Sequence, residues 1–144
     1  MVLTRSIKGV PRLVAVSLIP PAIIMTMHGP ASLVTVCKSK PVDERVLLRT
    51  LHDVAGILIT MHNMGLSHND VRPHNILVSD IRCASNLKVT LIDLGLVTRH
   101  GEYPFGRVPI FNAKPFYAPE LMHVIKPSSE ATDMYSFGYL IKCL

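Results

Sequence analysis

Asp70, Arg72 and Asn75 stand close together in the stretch GLSHNDVRPHNILVSD, residues 65–80, and Asp93 follows in LIDLG. Two aspartates and an asparagine supply hard oxygen donors. Such donors suit Mg²⁺, which takes few protein ligands and shares the rest of its coordination with phosphates. Arg72 adds a permanent positive charge beside them. Phosphoryl transfer needs these parts: metal-holding oxygens, a cation on the phosphate, and a carboxylate near the acceptor hydroxyl. Asp and Asn are also ordinary turn and cap residues, so the chemistry depends on whether the fold gathers them.

The elements that could gather them are legible. Leu47, Leu51, Val54, Leu58 and Met61 recur at alternating steps of four and three. This predicts an amphipathic helix of about five turns over 43–63. Asp43 can cap its start and Gly65 can end it. NILV and KVTLID are short β-rich runs separated by SDIRCASN, and they predict a hairpin over about 76–92. Asp70 and Asn75 then lie between a helix and a strand, with Asp93 just past the next strand. The mouth of the hairpin is where the three can meet.

Upstream, RLVAVSL and AIIMTM read as two strands joined at SLIPP, and HGPAS reads as a turn. Residues 96–117 carry three prolines and two glycines without a period and read as one long loop. Loops of that length are usually functional or disordered. SSEATDMYSFGYLIKCL predicts a helix from about 130 to the last residue, capped by Ser128 or Ser129 and carrying no stop signal.

The length of 144 residues matches one domain. The absence of Trp leaves an aliphatic core. A net charge of +5 suits an anionic ligand, but no run of Lys and Arg points to nucleic acid. Cys37, Cys83 and Cys143 are scattered and lack zinc-ligand spacing. They read as reduced, mostly buried thiols of a cytoplasmic protein. The apolar run 13–27 follows Arg5 and Lys8 in the manner of a signal peptide, but Pro20 and Pro21 interrupt it. No stretch reaches the ~20 apolar residues of a membrane span.

Four motifs carry a resemblance. HNDVRPHN resembles the catalytic loop of protein kinases, H-R-D-L-x-x-x-N, and DLG resembles D-F-G. APE at 118–120 resembles the end of the activation segment, and DMYSFG at 133–138 the start of the family's large central helix. One motif alone is weak. Four in the right order, with Glu120 following Asp93 by 27 positions, are specific. The resemblance covers about residues 10–144 and is to serine/threonine-type domains.

The resemblance implies an α+β, protein-kinase-like fold. It would comprise mainly the upper part of the helical C-lobe, with a few strands of an incomplete N-lobe. Residues 1–28 would be a remnant of the N-lobe and hinge, and 29–144 an incomplete C-lobe. Asp70 would orient or deprotonate the acceptor hydroxyl, and Arg72 would face the γ-phosphate. Asn75 and Asp93 would hold Mg²⁺. Met25 would be the gatekeeper, and Thr26, Met27 and His28 the backbone that meets the adenine of ATP. His68 would steady the loop and Gly95 would let the chain turn after the metal ligand. Glu120 would pair with an Arg of the lower lobe, and Asp133 would bond loop amides. The implied partners are ATP and a protein substrate or protein partner, with no nucleic acid and no membrane.

Departures limit the match. Asn69 replaces the Arg that in many kinases reads an activation-segment phosphate, so Thr98 and Tyr103 read as plain loop residues. Leu94 replaces Phe, and Arg72 a Lys. No G-x-G-x-x-G loop and no V-A-I-K lysine occur in these residues, so the resemblance implies a middle slice of the domain with weak transfer or none. Two other functions stay open: a non-catalytic, pseudokinase-like binding module, and a small-molecule phosphotransferase, against which FYAPELM and DMYSFG argue.

Overall fold

The computed structural model describes residues 7–39, 41–80, 85–110 and 114–144. β1 (Leu13–Leu18) and β2 (Pro21–Met25) pair antiparallel around the Ile19–Pro20 turn, Leu18 opposite Pro21 and Leu13 opposite Met25. Val16, Leu18 and Ile23 on this hairpin lie open to solvent.

β3 (Ala31–Ser32) leads directly into α1 (Leu33–Ser39). The sequence offers no periodic signal for α1, because Val34, Thr35 and Val36 are β-branched and stiff at χ1. Burial of Leu33 and Val36 forms the helix all the same. The Thr35 amide donates to Ser32 Oγ at 3.4 Å at its start.

α2 (Glu44–Asn63) is the spine of the fold. Asp43 caps it, its Oδ1 accepting from the Arg45 amide at 2.7 Å. Val54, Leu58 and Met61 are fully buried; Leu47 and Leu51 are half-buried, and Val46 and Ile57 complete the apolar face. Met64, just past its end, is 41% exposed. The helix ends at Gly65, where φ is +69, a value that costs glycine little.

β4 (Leu66–Ser67) pairs with a strand far down the chain, β7 (Thr98–Arg99), so part of the 96–117 segment is ordered sheet rather than loop. β5 (Ile76–Ser79) and β6 (Lys88–Leu91) form the expected hairpin, Ile76 opposite Leu91, with β3 along the edge of β5. α3 (Pro119–Met122) and α4 (Glu130–Cys143) follow. Ser129 starts α4, its amide donating to Thr132 Oγ1 at 3.3 Å. The architecture is α+β, with small antiparallel sheets set around α2. Cys37 and Cys143 are free but exposed, which corrects the expectation of buried thiols; Cys83 lies outside the described residues. Among the described residues no helix is long and apolar enough to cross a membrane.

Gly9 threads between α2 and β6. Its carbonyl accepts from the Leu91 amide at 2.8 Å. Its φ is +88, and a Cβ there would sit 2.5 Å from Ile57 Cδ1. Gly9→Ala is therefore expected to destabilise the chain by about 1–3 kcal/mol through left-handed strain and the forced shift of Ile57. Urea unfolding measures it. A loss below about 0.5 kcal/mol, the size of an ordinary surface substitution, would show that Ile57 turns aside freely.

Candidate active site

The loop after β4 hangs from Asp133, on the first turn of α4. Asp133 is fully buried, and its two oxygens accept from the His68 and Asn69 amides at 2.7 Å each. His62, from the last turn of α2, places Nε2 2.9 Å from Asp133 Oδ2. One carboxylate thus fixes the loop main chain to two helices.

Asn69 has φ +64, which Asn tolerates better than most residues. Its Nδ2 donates to the Leu96 carbonyl at 2.8 Å and to Thr98 Oγ1 at 2.9 Å. Its Oδ1 accepts from Ser128 Oγ at 2.8 Å. Where the kinase pattern has an arginine, this chain has a buried amide that ties the loop to residues 96–98. Thr98 is thereby part of the scaffold rather than a plain loop residue.

His68 is fully buried. Its Nδ1 accepts from the Asp70 amide at 3.2 Å, and its Nε2 lies 3.1 Å from the Ile92 carbonyl. Only the neutral tautomer with the proton on Nε2 satisfies both contacts. Burial holds the imidazole below its ordinary range and outweighs the opposing pull of Asp133. The unfolded chain therefore binds a proton near pH 6.5 that the folded chain refuses. The stability that depends on this neutral imidazole is present above about pH 6.5, the ordinary His value, and is expected to fall as the pH drops below it. In the His68→Gln variant that segment of a urea-midpoint pH profile should be flatter; an unchanged slope would assign the loss to other groups.

Asp70 is 4% exposed. Its Oδ2 accepts from Asn75 Nδ2 at 2.6 Å and lies 3.2 Å from Arg72 Nε. That ion pair is close but not aligned as a hydrogen bond, and Arg72 Nε has no hydrogen-bond partner. The guanidinium sits 5.5 Å over the Phe116 ring, a cation–π contact that holds it beside the carboxylate. Asp70 Oδ1 accepts from the Tyr117 hydroxyl at 3.0 Å.

Asn75 also donates from Nδ2 to the Asp70 carbonyl at 2.9 Å. Its amide nitrogen faces Asp70, so its carbonyl oxygen is the atom with ligand character. Asp93 has φ +64 and is exposed, its Oδ1 accepting from the Gly95 amide at 3.4 Å. The left-handed residue of this turn is Asp93, not Gly95. Gly95 matters for space, since a Cβ there would lie 3.3 Å from Asp93 Oδ1.

Asn75 and Asp93 line one cleft of about 450 Å³ with Met25, Thr26, Met27, His28, Leu77 and Ile92. That volume is in the range of small-molecule sites. The Thr26 amide already donates to the Arg12 carbonyl at 2.9 Å. Thr26 Oγ1 accepts from the Arg12 amide and lies 2.7 Å from His28 Nε2. Thr26 thus offers the cleft its carbonyl but not its N–H. Among the described residues no three His, Cys, Asp or Glu side chains form a cluster that could hold a metal ion. One carboxylate and one amide oxygen fit Mg²⁺ shared with phosphates rather than a closed protein cage. Glu120 makes no ion pair among the described residues.

No local pattern signals Tyr117 on Asp70, Phe116 under Arg72, His62 on Asp133 or Ser128 on Asn69. Each contact joins residues more than 40 positions apart.

The protein kinase domain family model matches residues 20–144. The chain is 37% identical over 105 residues to the serine/threonine-protein kinase SBK1 of Danio rerio, covering 70% of this chain and 26% of that protein. It is 32% identical over 124 residues to the serine/threonine-protein kinase PknK of Mycobacterium tuberculosis, covering 85% of this chain and 11% of that protein. The chain thus spans about a quarter or less of the length of these relatives. It belongs to the protein kinase family. That family generally uses ATP and Mg²⁺ and acts on protein substrates.

Proposed function

We propose that residues 25–28, 70–75 and 93 form the floor of an ATP site from which a γ-phosphate passes to a serine or threonine hydroxyl of a protein. The observation that carries this is Asp70, a buried carboxylate held by Asn75 and Arg72 beside the cleft that Asn75 and Asp93 line. Asn75 Oδ1 and the Asp93 carboxylate would hold Mg²⁺, which when bound neutralises charge on the phosphates. Arg72 supplies a fixed positive charge next to Asp70. Asp70 orients the acceptor hydroxyl and takes its proton. The backbone of Met27 and His28 faces the adenine. Pro11 and residues 25–28 act as one wall of the site and Asn75, Leu77, Ile92 and Asp93 as its body, in a cytoplasmic protein that contacts neither nucleic acid nor membrane.

Calorimetry with ATP in the presence and absence of Mg²⁺ tests the site. Asp93→Ala is expected to remove the metal-dependent part of the binding and to leave the metal-independent part. Identical metal dependence in the variant would exclude Asp93 as a ligand. A non-catalytic binding module is the second reading, favoured by the Tyr117 hydroxyl that already sits on Asp70.

A further inference from the structure

We propose that Tyr117 occupies the acceptor-hydroxyl subsite of its own chain, so that a protein substrate must displace this phenol before its hydroxyl can reach Asp70. The proposal rests on the reading of Asp70 as the group that meets the acceptor. Asp70 Oδ2 is taken by Asn75 at 2.6 Å and faces Arg72 at 3.2 Å. Oδ1 is the remaining oxygen, and the Tyr117 hydroxyl donates to it at 3.0 Å. A serine or threonine hydroxyl presenting its proton to Asp70 needs the same place.

The contact is built rather than accidental. The Tyr117 ring packs edge-on against Phe105 at 5.2 Å and against Phe116 at 4.6 Å. It lies on the small buried cluster of Ala118, Leu121 and Met122. Phe116 in turn carries the Arg72 guanidinium. The segment before α3 therefore delivers both the phenol and the platform for the cation to one carboxylate. Burial, with the Asp70 charge and hydrogen bond adding to it, pushes the phenol up to about 12. The hydroxyl thus stays protonated at any physiological pH and remains a donor to Asp70. An incoming peptide that swings this phenol out has to break its packing on Phe105 and Phe116 as well as its hydrogen bond to Asp70.

Carboxyl labelling reads the plug without relying on catalysis. The wild-type chain and Tyr117→Phe are treated with a water-soluble carbodiimide and glycinamide, and modification of Asp70 is quantified by peptide mass spectrometry. Exposed Asp43 in the same chain is the internal standard. Tyr117→Phe keeps the ring and its packing and removes only the hydroxyl, so an unchanged thermal midpoint confirms the fold. The ratio of Asp70 to Asp43 labelling is expected to rise several-fold in the variant. An equal ratio means that Asn75 and Arg72 alone seal Asp70, and overturns the proposal.

A second measurement uses the wild-type chain only. Nitration with tetranitromethane requires phenolate, and a phenol pushed to about 12 holds roughly a hundredth of the phenolate of an ordinary tyrosine. Tyr117 should nitrate far more slowly than exposed Tyr135; equal rates would place the phenol off Asp70 and overturn the proposal too. Radiolabelled ATP with a pool of serine and threonine peptides separates the two levels. A positive labelling result with no transfer by either chain rejects the kinase reading of the site but keeps the plug. Transfer with no labelling difference does the reverse.

Discussion

Replacing Asp133 with alanine is expected to cost about 3–5 kcal/mol and to free the loop at 68–70. Two amides, those of His68 and Asn69, lose buried acceptors at 2.7 Å. A buried donor left without a partner costs ~1–3 kcal/mol, and bonds to a charged acceptor are at the upper end. His62 loses its contact as well. Asp133→Asn should be intermediate, since one amide oxygen can serve one of the two N–H groups while its NH₂ faces the other. Urea unfolding gives the total, and hydrogen exchange at the His68 and Asn69 amides shows where it falls. A loss below about 1 kcal/mol, with both amides still protected, would mean that the loop is held by the Asn69 side chain and its bonds to Leu96, Thr98 and Ser128 instead, and that Asp133 adds little.

This dependence on Asp133 shows where the sequence was informative. α2 was legible because its apolar stripe repeats over five turns and is closed by Asp43 and Gly65. The β5–β6 hairpin was legible because two β-rich runs flank polar residues. Asp70, Arg72 and Asn75 were visible because they are neighbours in the chain, and the β5–β6 hairpin carries Asp93 to them.

What the sequence left out lies at long range or below the length that periodicity needs. β4 and β7 have two residues each, too few to alternate. α1 is built from β-branched residues and stands only because Leu33 and Val36 are covered. Contacts such as Tyr117 to Asp70 and His62 to Asp133 depend on how separate elements dock, and no local pattern encodes docking. The turn after β6 shows a subtler limit. DLG puts the glycine in view, yet the left-handed backbone belongs to Asp93, and the glycine is needed for the room beside its carboxylate.

Asp70→Asn is expected to lower single-turnover transfer to a serine peptide by roughly 10²–10⁴-fold, the usual contribution of a positioned acid–base group. The substitution keeps the shape of the site. An asparagine at 70 can turn its Oδ1 toward Asn75 Nδ2 and its Nδ2 toward Tyr117, whose oxygen can accept in place of donating. What it removes is the charge that pairs Arg72 and that we propose takes the acceptor proton. Nucleotide binding should change little, because the cleft is lined by Asn75 and Asp93 and not by Asp70. The loss should therefore fall on the rate and not on the affinity, the mark of an interaction made only in the transition state. High protein concentration and radiolabelled ATP make slow transfer measurable, and calorimetry on the same sample gives the affinity. A variant that transfers as fast as the wild type would remove Asp70 from the chemistry. One that loses nucleotide binding in step with transfer would show that Asp70 acts by holding Asn75 in place.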